Sequence, residues 1–504
     1  MGENRVELDS AGGVQQKEEV ELKGIELSLN RPRMKVLDRE QAWAIHAAAL
    51  EILQKVGFKM ENRSALEMLA GAGCTVEDGD WVRMPAYVAE EALRSAPRQV
   101  AIFDQAGNDA MPLMQDNFFY GTGSDTLFTL DINTSERRRA VLRDTGNFAR
   151  LVDGLENISF AMSMSNPIDV PIEDIYVCAF AEMVRNTNKP IVFIAGNVKD
   201  LSRIHDIACL VAGGKENFEK KPFILNYSEA ISPLHFPDDV VEKLIFCAKN
   251  RIPVCFPSGS NAGGGAPVTL AGALALGIAE NLVGLAVHQL AGRGSPFVFG
   301  PNVSVLDMNS TVVSYGCPEW SLTQAALADM RDEIYHIPIW AYAGASDSKI
   351  LDAQAGAEAM FSVITSMLCR ANLIHDVGYL EFGTTSSLEM VVMVDELIGM
   401  SRHFVEGIPV NRTTLAVDAI ERVARGGPGS MFLADDHTFD NFRQALFMPR
   451  LLDRSRFDRW EQLGKPDLYK RCNQEAQRLL AEHHVIPKPP EILKEIEKVT
   501  RGRT

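Results

Sequence analysis

Aromatic and acidic side chains recur wherever an apolar run of this sequence gives way to glycine, serine or asparagine. The run at 337–343 passes through Trp340 and Tyr342 and ends in Gly344, Ser346 and Asp347. The run before Ser228 supplies Tyr227 and then Glu229. Phe299 and Asn302 close a third run, Tyr315 lies in the excursion after it, and His375 with Asp376 closes a fourth. An earlier run ends in Ser124 and Asp125, while arginine and lysine are scarce at all these ends. Aromatic faces attract a cation through their quadrupole and carboxylates add direct charge, so the set suits an organic cation. Glu229 and Asp347 are the expected working acids. Tyr227, Phe299, Tyr315, Trp340 and Tyr342 are the expected aromatic wall, with His375 and Asn302 as donors. Each has a plainer alternative: tyrosine and tryptophan also pack beneath loops, Glu229 also reads as a cap or ion pair, and His375 as a structural hydrogen-bonding group.

Other chemistries find less support. No histidine has zinc-like spacing, and no Gly-x-Ser-x-Gly elbow supports a serine nucleophile. Gly263-Gly264-Gly265 lacks the following Lys-Ser/Thr of a phosphate loop. It reads instead as a loop that must pass close to a flat group or another backbone.

These residues need a scaffold that delivers loop ends to one place. Short apolar runs alternate with amphipathic segments from about residue 116, which predicts parallel strands joined by helices. Strands are expected at 117–121, 159–164, 190–195, 222–227, 253–257, 296–300, 338–343 and 373–377. Helices are expected to follow each, beginning near Arg143, Ile172, Val198, Pro237, Pro267, Pro318, Asp352 and Leu388. Eight such units predict an α/β fold, a closed (β/α)8 TIM barrel over 116–405. In that fold the strand ends at the C-terminal face carry the chemistry. Residues 1–115 read as a disordered start plus a helical extension, with helices near 38–56, 64–72 and 85–96. Residues 406–504 read as a helical C-terminal cap.

Composition fits. The chain has 504 residues, 46% of them hydrophobic and 23% charged, enough for a large core. A formal net charge of −17 argues against a nucleic-acid partner. Eight scattered cysteines without a Cys-x-x-Cys pair read as buried thiols. The apolar stretch 268–290 has the length of a membrane span, but Glu280, Asn281, His288 and Gln289 interrupt it, so a buried barrel helix is expected. No membrane association is expected, and a cytoplasmic location is.

Several segments, taken in order, resemble the trimethylamine methyltransferase superfamily, in its branch without pyrrolysine. They are 52–57, 231–234, 266–275 with Ala279-Glu280, and 346–349 with Asp352, Gln354 and Ala355. Phe432-Leu433, His437-Thr438 and 451–454 before Trp460 complete the set. The resemblance implies a barrel that moves a methyl group from a methylamine to Co(I) of a corrinoid carried on a separate small protein. It implies that nothing, metal included, is held tightly on this chain. It places the pyrrolysine position between Gly344 and Asp347, and a corrinoid-facing rim at Gly263, Gly264, Gly265, Gly344 and Ser346. Ordinary residues in that position narrow the substrate. A neutral tertiary amine would have to expel an amide anion, whereas a quaternary ammonium leaves as a neutral amine and needs no acid. Glycine betaine is the favoured substrate, followed by carnitine, γ-butyrobetaine and proline betaine, and a betaine-binding protein without catalysis is the alternative. The helical termini offer surfaces for self-association.

Overall fold

The computed structural model describes residues 31–114 and 116–502. The first twenty-odd residues, the polar start expected to be disordered, lie outside the described residues. Eight strands run parallel: β1 (Phe119–Thr122), β2 (Ile158–Phe160), β3 (Ile191–Ile194), β4 (Ile224–Tyr227), β5 (Val254–Pro257), β6 (Phe297–Gly300), β7 (Trp340–Tyr342) and β8 (Leu373–Val377). Neighbours in sequence are neighbours in space. Ala161 bridges Ile191 between β2 and β3, Phe299 bridges Ile339 between β6 and β7, and β8 pairs with β1 to close the cylinder.

Proline sets the start of five of these strands. It lacks an N–H, so it is tolerated where the ladder begins. The carbonyls of Pro190, Pro222, Pro253, Pro296 and Pro338 each accept a backbone hydrogen bond from another segment. A helix follows every strand: α1 (Leu142–Gly154), α2 (Ile175–Asn186), α3 (Val198–Val211), α4 (Asp238–Lys249), α5 (Leu270–Ala291), α6 (Pro318–Met330), α7 (Ala353–Leu368) and α8 (Leu388–Val405). Asn197 caps α3 and Asp352 caps α7 through their side chains.

α5 has the length and apolarity of a membrane span, but most of it is buried within the protein. The three helices Arg39–Glu51, Arg63–Gly71 and Ala86–Ser95 pack against its outer side. That second layer explains why the α5 sequence is apolar around most of its circumference.

The N-terminal extension is not purely helical, which corrects the reading from sequence. Phe58–Met60 and Trp81–Arg83 pair antiparallel and join a small sheet with Thr75–Glu77 and His235–Phe236. A hairpin of Val100–Phe103 and Asp109–Leu113 sits under the barrel. Its Val100, Ile102, Met111 and Leu113 form one core with Val192, Leu225, Cys255, Val298 and Leu373 from inside the cylinder.

The C-terminal region also divides. Glu406–Met448 falls in one compact unit, and within it Arg422 forms two hydrogen bonds to Asp435. Pro449–Thr504 belongs with the barrel. There Leu468–Glu482 packs on α1 and α8, and Pro490–Thr500 packs on α2 and α3.

Candidate active site

Strand parity decides which side chains face the interior. Leu225, Trp340 and Leu373 belong to the inner core, and Tyr227, Tyr342 and His375 stand two residues further along the same strands. The rings of Trp340 and His375 stack with centroids 4.2 Å apart. Tyr227 lies 5.6 Å from Trp340 and 6.2 Å from His375. Its hydroxyl donates to Glu229 Oε2 at 2.8 Å.

Glu229 has two properties that seem at odds. Its surface is exposed, yet it lies so deep among protein atoms that burial, ahead of every other influence, raises its pKa. A side chain with both properties borders an internal hollow. Tyr227 and Tyr315 behave alike, being half-buried by surface while burial lifts their phenols well above the usual range.

Asp125, from the loop after β1, reaches the same space. Burial first and the neighbouring Glu229 second push its carboxyl up to about 6. Asp376 is almost fully buried and acts electrostatically on Tyr227, Tyr315, Tyr342 and Tyr379. Its Oδ1 lies 2.6 Å from His375 Nδ1, while its Oδ2 and the Oδ1 of Asp125 are buried without a hydrogen-bond partner.

Tyr315 closes the upper wall, 5.7 Å from Tyr342 and 6.0 Å from Tyr379. Tyr342 in turn packs 3.9 Å from Trp320 and donates to the Tyr315 carbonyl. Asn302 is buried nearby in sequence, after β6, with its Oδ1 unpartnered.

Four sequence expectations need correction. Phe299 has the opposite parity to the inward Val298 and packs on Tyr335 at 4.8 Å, outside the cylinder. Asp347 is not a free acid: it accepts from Ser314 Oγ at 2.6 Å, Tyr315 N at 2.8 Å and Gly316 N at 3.1 Å. Its work is to hold the turn that carries Tyr315. Gly344 is buried with φ +74, and an added Cβ would lie 2.6 Å from Val394 of α8. Ser346 is fully buried and donates to Glu358 at 2.6 Å. Neither can face a docked partner. Gly263, Gly264 and Gly265 keep accessible surface in the loop after β5, where a Cβ on Gly263 would meet Met308 at 2.1 Å.

Three participants went unassigned in the sequence. Asp125 and Asp376 stand at strand ends but carry no motif. Tyr379 follows β8 and Gly378 (φ +104), and an added Cβ on Gly123 would strike its ring. Glycine opposite an aromatic was the available signal. Among the described residues no three or more His, Cys, Asp or Glu side chains are placed to hold a metal.

Buried Glu280 of α5 anchors the rim from below. It accepts from Ser232 Oγ at 2.7 Å, Leu234 N at 2.8 Å and Ser260 Oγ at 3.2 Å, tying the loops after β4 and β5 together. Around the mouth, six loops expose large apolar side chains: Leu127, Ile168, Ile231, Val268, Met308 and Ile350.

A family model, Trimethylamine methyltransferase (MTTB), matches residues 9–504. The chain belongs to this family. A glycine betaine methyltransferase of Desulfitobacterium hafniense is 30% identical over 468 residues, covering 92% of this chain and 95% of the relative. A trimethylamine methyltransferase of the same species is 30% identical over 455 residues, covering 90% of each chain. Another, from Methanosarcina thermophila, is 30% identical over 489 residues, covering 93% of this chain and 98% of the relative. In this trimethylamine methyltransferase family member the acid–aromatic hollow lies at the C-terminal end of the strands, where (β/α) barrels carry their chemistry.

Proposed function

We propose that this chain is a quaternary-amine:corrinoid methyltransferase. The observation that carries the reading is the ring cluster of Tyr227, Trp340 and His375 with Glu229 held against it by the Tyr227 hydroxyl. Aromatic faces and a buried carboxylate attract a fixed positive nitrogen and bring no acid within reach that its departure requires. The acceptor is the reduced cobalt of a corrinoid on a separate protein, a nucleophile that takes the methyl group from the side opposite nitrogen.

What this chain supplies is position, field and dryness. Tyr227 and Tyr315, which keep accessible surface, face the methyl groups above the buried Trp340, and Glu229, held by the Tyr227 hydroxyl, balances the nitrogen charge. As the methyl leaves, the amine becomes neutral and its attraction to Glu229 falls, which favours product release. The apolar collar from Leu127 to Ile350 fits a broad, flat and largely apolar partner better than water. Gly263 lets Met308 lie down against that rim. A cytoplasmic location belongs to the same reading.

Glycine betaine and other trimethylammonium compounds meet the requirement at nitrogen equally, so the far end of the molecule must choose among them. Purified protein mixed with Co(I) cobalamin and a panel of methylated amines tests the reading. Consumption of the Co(I) absorbance by a quaternary amine supports it. Turnover restricted to methyl thioethers or aryl ethers would overturn it.

A further inference from the structure

Resting on that reading, we infer that the substrate is a net cation and not a zwitterion: its far end carries a hydroxyl or a second ammonium, never a carboxylate. The charges around the hollow lead there. Glu229, Asp125 and Asp376 all act on its lining, with Glu280 close enough to act on Glu229 from behind. Two carboxylate oxygens, Asp125 Oδ1 and Asp376 Oδ2, are buried with no donor, and so is the hydroxyl oxygen of Ser165. A buried acceptor left in that state is costly unless a ligand brings a proton donor or a positive charge.

Among the described residues, the cations near the hollow are already engaged. His375 is already engaged by Asp376 through Nδ1. Lys243, whose charge reaches Glu229, donates its Nζ to the Ala195 carbonyl and lies 3.9 Å from Asp239. Arg137 is turned to Glu381 and stacked over Phe128. The backbone N–H groups after β7 are spent: Gly344 N on Ser362, Ser346 N on Tyr379, Asp347 N on Glu358 and Ser348 N on Ser346. A betaine would therefore place its carboxylate among three acids, with only the Tyr315 and Ser165 hydroxyls, the Asn302 amide and the second nitrogen of His375 left to meet it and no unengaged lysine or arginine among the described residues there.

Choline and glycine betaine make a clean comparison, because both carry a trimethylammonium group on a two-carbon unit and differ at the far end. Calorimetric titration of the full chain near pH 7.5 should show choline binding at least about tenfold tighter. Co(I) consumption should follow the same order. Glu229→Gln and Asp125→Asn, each confirmed as folded by circular dichroism, should narrow the ratio several-fold, because each removes a charge that repels the betaine. Equal or tighter binding of glycine betaine by the unaltered protein would overturn the inference while leaving the amine reading intact. Failure of both, and of tetramethylammonium, to bind would overturn the amine reading and this inference together.

Discussion

Glu229 can serve a cation only while it is charged, and its surroundings work against that. Burial raises its pKa, the Tyr227 hydroxyl and His375 oppose the rise, and Asp125 adds a second buried acid held near 6. For a carboxyl raised above its unfolded value, the fold favours the protonated form. The associated stability is present at low pH and falls as pH climbs from about 4 to about 6. Cation binding runs the other way. Affinity for a quaternary amine should rise as pH goes from 5 to 7.5, with Asp125, Glu229, Asp376, His375 and Lys243 as the facing groups, and calorimetry at several pH values would show it. A flat profile would mean that Asp125 does not share the site. Asp125→Asn should also raise the melting temperature of the ligand-free protein at pH 7.5. Glu229→Gln should weaken cation binding by tenfold or more, whereas Tyr227→Phe, losing one hydrogen bond, should cost about 1 kcal/mol, or some fivefold.

Two acids that bind no ligand set the geometry at the scale of the elements. Glu280 joins the loops after β4 and β5, so Glu280→Ala would leave the Leu234 N–H unpaired and the Ser232 and Ser260 hydroxyls with only each other, and cost about 2–4 kcal/mol in urea unfolding. Asp347→Ala would free the 313–316 turn. Faster hydrogen exchange there, and a weaker Kd with the overall fold kept, is the expected result. The strands were legible in the sequence because each is an apolar run, most of them introduced by proline, and the helices because their apolar positions repeat at helical spacing. The sheet of the N-terminal extension was not, since strands of two or three residues are too short to show alternation. Phe299 illustrates the other limit. In Phe297-Val298-Phe299 both faces are apolar, so parity could not be read without the packing of Tyr335 on one side and the inner core on the other. Asp347 deceived for a related reason, as its three donors come from a loop some thirty residues earlier.

Two buried histidines lower the molecule's tolerance of acid. Burial holds His205 down to about 4 and His288 down to about 3. Each stays neutral in the fold while the unfolded chain takes up protons below about 6.5. The stability these two histidines contribute is thus complete above that pH and is lost progressively as pH falls towards 4, by up to about 3 kcal/mol for His205 alone. His205→Gln should flatten the decline in urea midpoint between pH 6.5 and 4.5. Removal of the C-terminal helix Pro490–Thr500 would take from Arg203 the Val499 and Thr500 carbonyls to which its guanidinium donates, leaving it Asp174 alone, and should lower the melting temperature by several degrees. The hairpin of Val100–Leu113 has a different kind of consequence. Because, among the described residues, it packs against the floor of the cylinder, the two reactants of the proposed transfer would share the opposite end, and the smaller would pass first. The amine should load before the methyl acceptor docks, and an excess of acceptor should slow turnover by shutting the door on an empty room.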